Sequence, residues 1–399
     1  MSDFYRSAML AFTMISGGLS LAQRYFLDCV EPIIIQHFPG LRFAAALIGD
    51  GSEVLGFDTD QSTDHDWGPR LQLFLSSEDF GGAALELMAT LDRELPETFG
   101  GWPVRFGDHD RPAREAIAAG ACGSDHGVEL FTVAAWARLH LALGDVEGMS
   151  TADWLAIPEQ SLLAATAGAV FRDDPGELTA FRARLAAYPD DLWQYKLASQ
   201  WWRIGEEQAF VGRAGDVGDD LGSRIIAARL ARDVMHLVFL IERRYAPYAK
   251  WLGSAFQALG SAPQFADALA RVLGADDWRA REAAPADCYR LAGVLQIAHG
   301  TPGAIAPRIG PYHDRPYSVV NADEIASALR AAIIDPSLRD LPLVGGVDQI
   351  ADNVAILAHP GHARSMMRGL RANSPSPAPP GEGRGPGRRS RSESKTPKL

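Results

Sequence analysis

Two aspartates one residue apart, Asp64 and Asp66, stand near the end of the stretch Gly51 to Arg70, GSEVLGFDTDQSTDHDWGPR, which opens on a Gly-Ser pair. On an extended chain residues i and i+2 leave the same face, so the two carboxylates can share one cation. Magnesium takes oxygen ligands, usually one or two carboxylates together with substrate phosphates. Gly51 and Ser52 offer the complementary half of such a site, a backbone amide with no side chain in front of it and a hydroxyl, both suited to a terminal phosphate. Gly56 lets the chain double back between the two halves. These residue types at this spacing predict a metal-nucleotide site.

The same residues admit two other readings. Asp58, Asp60, Ser62, Asp64 and Asp66 alternate as in a calcium loop, but Thr63 stands where that loop needs glycine and Pro69 where it needs glutamate. An EF-hand is therefore not expected. The plainer alternative is a solvated acidic turn between two strands, against which the Gly-Ser pair and the flanking strand-like runs argue. Asp58 and Asp60 are expected to be solvated, and His65, on the opposite face from the aspartates, to be structural.

The elements that position the motif follow from periodicity. Ser20 to His37 predicts a first helix, with Ser20 and Gln23 in capping-box spacing and Pro32 kinking or ending its regular part. Leu41 to Ile48 reads as a buried strand and Leu71 to Leu75 as a second, followed by a helix over Asp79 to Leu95. Trp102 to Phe106 predicts a third strand, Pro112 to Ala121 a short helix or loop, and Val128 to Val133 (VELFTV) a fourth strand before a helix over Ala134 to Leu143. From Thr151 long helical periods take over, beginning with PEQSLLAATAGAVF, and strand signals nearly vanish. The residues from about Ala275 to His362 are less regular, with a helix start at Asn321 or Ala322. The fold class expected is α+β: a mixed α/β unit over 18–148, a mainly helical unit over 149–365, and a disordered Pro/Gly/Ser-rich basic tail over 373–399.

Composition narrows the partners. The chain has 399 residues, 47% of them hydrophobic, enough for a sizeable core in two or three units. Its net charge is -12, and the last 27 residues, with four Arg and two Lys against two Glu, hold +4 of opposite sign, which leaves -16 on the rest. So acidic a body repels a phosphate backbone, and a long nucleic acid substrate is not expected. Cys29, Cys122 and Cys288 lie far apart without metal-ligand spacing, which fits a reducing cytosol. No apolar run reaches the roughly 18 to 20 residues of a bilayer span, so no membrane partner is expected. Arg6 and the short apolar run after it resemble a weak signal peptide, but Asp3 in the would-be basic region and the lack of a clean cleavage site point to a cytoplasmic protein.

The pattern Gly51-Ser52, Gly56, Ser62 and Asp64-His65-Asp66 resembles the signature of the nucleotidyltransferase superfamily that includes the aminoglycoside nucleotidyltransferases and DNA polymerase beta. More closely, the same stretch with AAYPDDLWQYKLASQWW, GDDLGSRIIAARLARDVMHLVFL and YAPYAKWLG resembles the bacterial family called domain of unknown function 4037, from about Gly18 to Asn353. The resemblance implies a four- or five-stranded mixed sheet whose carboxylates hold magnesium around a nucleoside triphosphate, ATP foremost, followed by a helical domain. The reaction implied is attack of a hydroxyl on the α-phosphorus with release of pyrophosphate, the acceptor being a small molecule or, as a lesser alternative, a protein side chain. A non-catalytic nucleotide-binding or regulatory protein of the same fold is the other reading, and an interaction protein whose acidic loop merely caps a fold is a third.

Asp64 and Asp66 match the first two carboxylates of that signature, and Gly51 and Ser52 its phosphate-holding pair. The third carboxylate sits between apolar neighbours on a later strand, where VELFTV places Glu129. A glutamate buried unpaired in such a strand costs several kcal/mol, which a metal would offset, whereas on an exposed strand face it costs nothing. Arg105 stands where some aminoglycoside enzymes carry an acid, so Asp108 and Asp110 are the alternatives. To balance the triphosphate the candidates are Arg70, Arg213 and Lys250. The aromatic set Trp193, Tyr195, Trp201 and Trp202 is expected in the core, and Asp190-Asp191, Glu206-Glu207 and Asp219-Asp220 are candidate bases for the acceptor hydroxyl.

Overall fold

The first helix begins two residues before Ser20. The computed structural model describes residues 17–59, 67–105, 120–144 and 146–372. The expectations for Asp60, Ser62, Asp64, His65, Asp66, Asp108, Asp110 and the 373–399 tail thus lie outside the described residues. Helix α1 (Gly18–Tyr25) runs through a π-helical turn at Phe26–Val30 into α2 (Glu31–His37). Pro32 falls in the first turn of α2, and the widened π turn ahead of it accommodates a ring that lacks an amide donor, so the helix continues past it. The Ser20-Gln23 capping box does not form, because the N-cap is Gly17 and no side chain of the helix caps it. Instead the amide of Gly18 donates to the Asp58 carboxylate at 2.7 Å. Asp58 is accordingly half-buried and structural rather than solvated, since it also accepts from the Trp67 indole at 3.2 Å.

Strand β1 (Phe43–Leu47) is buried along its whole length, as a central strand covered on both faces must be. It is followed by the single turn α3 (Ser52–Leu55), then β2 (Leu71–Leu75) and α4 (Ser77–Glu94), whose N-cap Ser76 hydroxyl accepts from the Asp79 amide at 3.1 Å. The expected third strand shrinks to a hairpin of β3 (Thr98–Phe99) and β4 (Trp102–Pro103) outside the main sheet. Pro103 has no amide with which to extend the ladder. Strands β5 (Ala121–Gly123) and β6 (Val128–Phe131) follow, then α5 (Val133–Leu141), capped by Thr132.

Beyond residue 149 come α6 (Thr151–Ala156) and α7 (Glu159–Thr166), and then a strand, β7 (Ala169–Asp173), within sequence read as helical. Its residues Val170 and Phe171 suit a strand, and it pairs antiparallel with β1 on the side away from β2. The sheet order is β5-β6-β2-β1-β7, with only β2 and β6 parallel. The parallel pair requires a crossover, and α4 lies within that connection. The fold is therefore α+β with a mixed five-stranded sheet.

The helical part comprises α8 (Glu177–Leu185), α9 (Asp190–Glu207), α10 (Phe210–Asp216), α11 (Asp220–Ile241), α12 (Ala249–Gln257), α13 (Ala262–Gly274), α14 (Trp278–Ala283) and α15 (Pro285–Ala298). A hairpin, β8 (Ile309–Tyr312) and β9 (Arg315–Val320), interrupts it before α16 (Ala322–Ala331), α17 (Pro336–Arg339), α18 (Val347–Ile350), α19 (Val354–Leu357) and α20 (Pro360–Ala372). Trp193, Tyr195 and Trp201 are buried in the bundle as expected, whereas Trp202 is 38% exposed and donates to Glu206 at 3.1 Å. No helix among the described residues is long and apolar enough to cross a membrane.

Alternation along the strands separates two cores. Phe43, Ala45, Leu73 and Leu130 face α1, α2 and α4, while Ala44, Ala46, Phe74 and Phe131 belong to the same apolar cluster as Trp136 of α5 and the interior of α9 and α11. The second face also carries the in-register row Ala46, Gln72 and Glu129. The end of β1 and the starts of β2 and β6 thus lie along one edge of the sheet, beside the helical part.

Candidate functional site

At that edge β1 turns through Gly49, Asp50 and Gly51 into α3. The Gln72 carboxamide accepts from the Ile48 amide at 3.1 Å, and the Gly49 amide donates to the carbonyl of Ala164 at 2.9 Å, so both β2 and α7 hold the turn. Gly51 has φ 138° and ψ 142°, a region closed to side chains, and a Cβ there would lie 2.3 Å from Arg70 Nη2. Arg70 donates from Nε to Glu53 Oε1 at 2.8 Å and from Nη2 to the carbonyl of Asp50 at 2.6 Å. It secures the turn from beneath through its Nε and Nη2 donors.

The turn opens into a cleft of about 910 Å³ between the sheet edge and the helical part. Asp50, Gly51, Ser52, Leu55 and Thr59 line one wall, and Arg232 and His236 of α11 with Tyr248, Lys250 and Trp251 line the other. Phe57 stacks on Trp251 with ring centroids 4.9 Å apart and planes 10° apart, which ties the segment after α3 to the far wall. Lys250 lies against the Trp251 ring at 4.8 Å. Asp348, Asp352 and His359 complete the lining, and the volume accommodates a nucleotide-sized ligand.

Of the residues expected at a site, the structure brings Gly51, Ser52 and Lys250 into this one cleft and leaves others outside its lining. Glu129 is half-buried on β6, and its charge and that of Asp50 both act on His140. Burial lowers the pKa of His140, and those two carboxylates oppose the shift. Arg213 is exposed on α10, its guanidinium 5.4 Å from the Phe210 ring centroid. Arg105 is an exposed partner of Asp125, and it also donates to the carbonyl of Asp92 at 2.6 Å. The candidate bases are engaged in structure: Asp190 pairs with Arg243, Asp191 accepts from the amides of Ile334 and Asp335, Glu207 pairs with Arg229, Asp219 caps α11 and Asp220 pairs with Arg224 and Arg281. None of these lines the cleft.

Beneath the cleft lies a group of charges that sequence reasoning missed. Lys196 of α9, 1% exposed, stands 2.7 Å from Glu159 Oε1 and donates to the Tyr188 hydroxyl at 2.9 Å. Glu159 Oε2 accepts from the Ala246 amide at 3.0 Å, and the Asp348 carboxylate accepts from the Glu159 amide at 3.1 Å. Burial raises Glu159's preference for the neutral form, but the Lys196 charge and its hydrogen bonds win and hold its pKa below the ordinary value. For Asp348 the balance reverses: burial and the Glu159 charge push it up to about 7. One signal for this half of the site was local, the polar pair Arg232 and His236 one turn apart in the apolar run of α11.

Among the described residues no three His, Cys, Asp or Glu side chains gather as a metal site. The donor set assigned to magnesium, Asp64, Asp66 and Glu129, is all oxygen, as that ion requires. Its described member, Glu129, is half-buried on β6 in register with Gln72, at the sheet edge that leads to the cleft.

Comparison with known proteins bears on the helical wall. Residues 154–252 match the family described as Domain of unknown function (DUF4037). That span includes Glu159, Lys196, Arg232, His236, Lys250 and Trp251. A solved structure described as a nucleotidyltransferase-like protein from Exiguobacterium sibiricum 255-15 aligns over 72% of this chain and 82% of its own, at 10% identity and a TM-score of 0.32. A likeness of that size carries no argument about function. No curated protein matches the chain.

Proposed function

We propose that this protein is a cytoplasmic, magnesium-dependent nucleotidyltransferase that moves a nucleoside monophosphate from a triphosphate, ATP foremost, to a hydroxyl acceptor and releases pyrophosphate. The observation that carries the reading is the meeting of the Gly51-Ser52 turn and Lys250 in one nucleotide-sized cleft, although 198 positions separate Ser52 from Lys250 in the chain. In it Ser52 and the Gly51 backbone hold the terminal phosphates, and Lys250 neutralises part of their charge from the opposite wall. Arg70 is a positioning residue, since it fixes the turn through Glu53 and the Asp50 carbonyl. Asp64, Asp66 and Glu129 would hold magnesium, which when bound supplies charge neutralisation at the phosphates and lowers the proton affinity of the attacking hydroxyl. Trp251 and Tyr248 give the cleft its apolar wall and exclude water from the bound nucleotide.

The test is turnover of labelled ATP, GTP, CTP and UTP with small hydroxyl compounds in magnesium. Pyrophosphate release that disappears in Asp64→Asn and Asp66→Asn is the expected result. Absence of triphosphate binding, together with indifference to both substitutions, would defeat the reading. Tight binding with no pyrophosphate would favour the non-catalytic alternative.

A further inference from the structure

The floor of the cleft holds an ion cluster whose charges do not balance. Lys196 sits 2.7 Å from Glu159 and 4.0 Å from Asp348, so one ammonium serves two carboxylates. The neighbouring charged pair, Arg232 with Asp352 at 2.9 Å, is neutral by itself. His236 adds no compensating charge, because burial holds its pKa below the ordinary value, with Glu159 only partly opposing. Tyr188 and Tyr245, which complete the surroundings, are uncharged, their hydroxyls pushed far up by burial. A carboxylate in such a place is costly unless a second cation joins it. Of the two acids, Asp348 is the one that lines the cleft, with its side chain 12% exposed against 5% for Glu159.

Two further polar atoms at the same wall lack partners. Arg232 Nε and His236 Nε2 are both shielded from water and make no hydrogen bond among the described residues. They lie one helical turn apart on α11, and both residues line the cleft with Asp348. A buried donor or acceptor left unpaired costs about 1–3 kcal/mol, so a ligand oxygen that reached them would be favoured.

We infer that this floor is a binding site for a small protonated amine that also carries hydroxyl oxygen, its ammonium paired with Asp348 and its oxygen turned toward Arg232 and His236. The inference rests on the proposed function only in making that amine the acceptor: an amino alcohol on the floor would lie in the same cleft as the phosphate-holding turn. The unusual proton affinity of Asp348 agrees with it, since the carboxylate waits for a cation and accepts a proton in the meantime. Binding of an ammonium must then displace that proton, and affinity must rise with pH through about 7.

The probes are ethanolamine, ethylene glycol as its uncharged counterpart, and potassium chloride at equal ionic strength, titrated calorimetrically into the full-length protein between pH 6 and 8. Saturable ethanolamine binding that strengthens by about tenfold across that range and releases protons below pH 7 is expected, with no response to the other two probes. Asp348→Asn should weaken ethanolamine binding at least tenfold. An equal response to ethylene glycol or potassium chloride, or a flat pH dependence in the unaltered protein, would overturn the inference, and the latter needs no variant to fold. ATP binding in the same protein reports on the proposed function separately, so either reading can fail without the other.

Discussion

Gly51 and Gly56 belong to the same motif and both have positive φ, yet the structure assigns them different burdens. At Gly51, φ 138° and ψ 142° lie where only glycine is comfortable, and an added Cβ would fall 2.3 Å from Arg70 Nη2 and 2.6 Å from Glu53 Oε2. Gly51→Ala therefore costs backbone strain of about 1–3 kcal/mol. It also displaces the charge-assisted bonds between Arg70 and Glu53, of the kind that contribute about 1.5–3 kcal/mol when one partner is buried. Together these give about 3–5 kcal/mol. Gly56, at φ 78° and ψ 21°, is an ordinary left-handed residue with no atom of the described residues within 4 Å of an added Cβ. Gly56→Ala should cost only about 1–2 kcal/mol. Urea unfolding of the two variants, followed by tryptophan fluorescence, should put Gly51→Ala below Gly56→Ala by about 2 kcal/mol. ATP affinity should drop with the first and hold with the second. A Gly56→Ala variant as unstable as Gly51→Ala would refute the claim that the Arg70-Glu53 pair packs against the turn.

Lys196→Met leaves Glu159 buried without its cation and should destabilise by about 3–5 kcal/mol, with much of the loss recovered in Lys196→Met/Glu159→Gln; thermal denaturation of the three proteins checks it. The pH dependence of that buried group has two opposing parts. The depressed pKa of Glu159 contributes stability that is present above its unfolded value and lost as pH falls through the folded one. Asp348 works the other way: between about 4, its ordinary value, and about 7 the folded protein binds the extra proton, so stability falls as pH rises across that window. Asp348→Asn should remove this fall and be the more stable protein at pH 8, as denaturant midpoints at pH 5 and 8 would show. Lys250→Met should raise the Kd for ATP about tenfold or more and leave the melting temperature nearly unchanged, because its ammonium is exposed and makes no ion pair among the described residues. Isothermal titration distinguishes this from a stability effect.

What the chain reveals without coordinates is what local physics decides. Strands β1 and β2 are short apolar runs bounded by turns, and α4 carries its own cap, so their positions follow from neighbours a few residues away. The Gly51-Ser52 turn was legible for the same reason, and Lys250 lies in YAPYAKWLG, a segment already singled out. Tertiary structure alone decided the rest. β7 is a strand because β1 offers it an unpaired edge, a partner more than a hundred residues away that no window on AVFRD contains. Arg70 looks like a phosphate ligand beside two acids, but its geometry gives it to Glu53 and the Asp50 carbonyl. The carboxylate pair in the floor of the cleft was invisible in sequence: Glu159 and Asp348 are 189 positions apart, and each alone is an ordinary acid. Only when α7, α9 and α18 close around Lys196 does one cation face two buried carboxylates. Charge balance in a dry interior is a property of what surrounds a residue, and those surroundings are set by long-range packing rather than by local sequence.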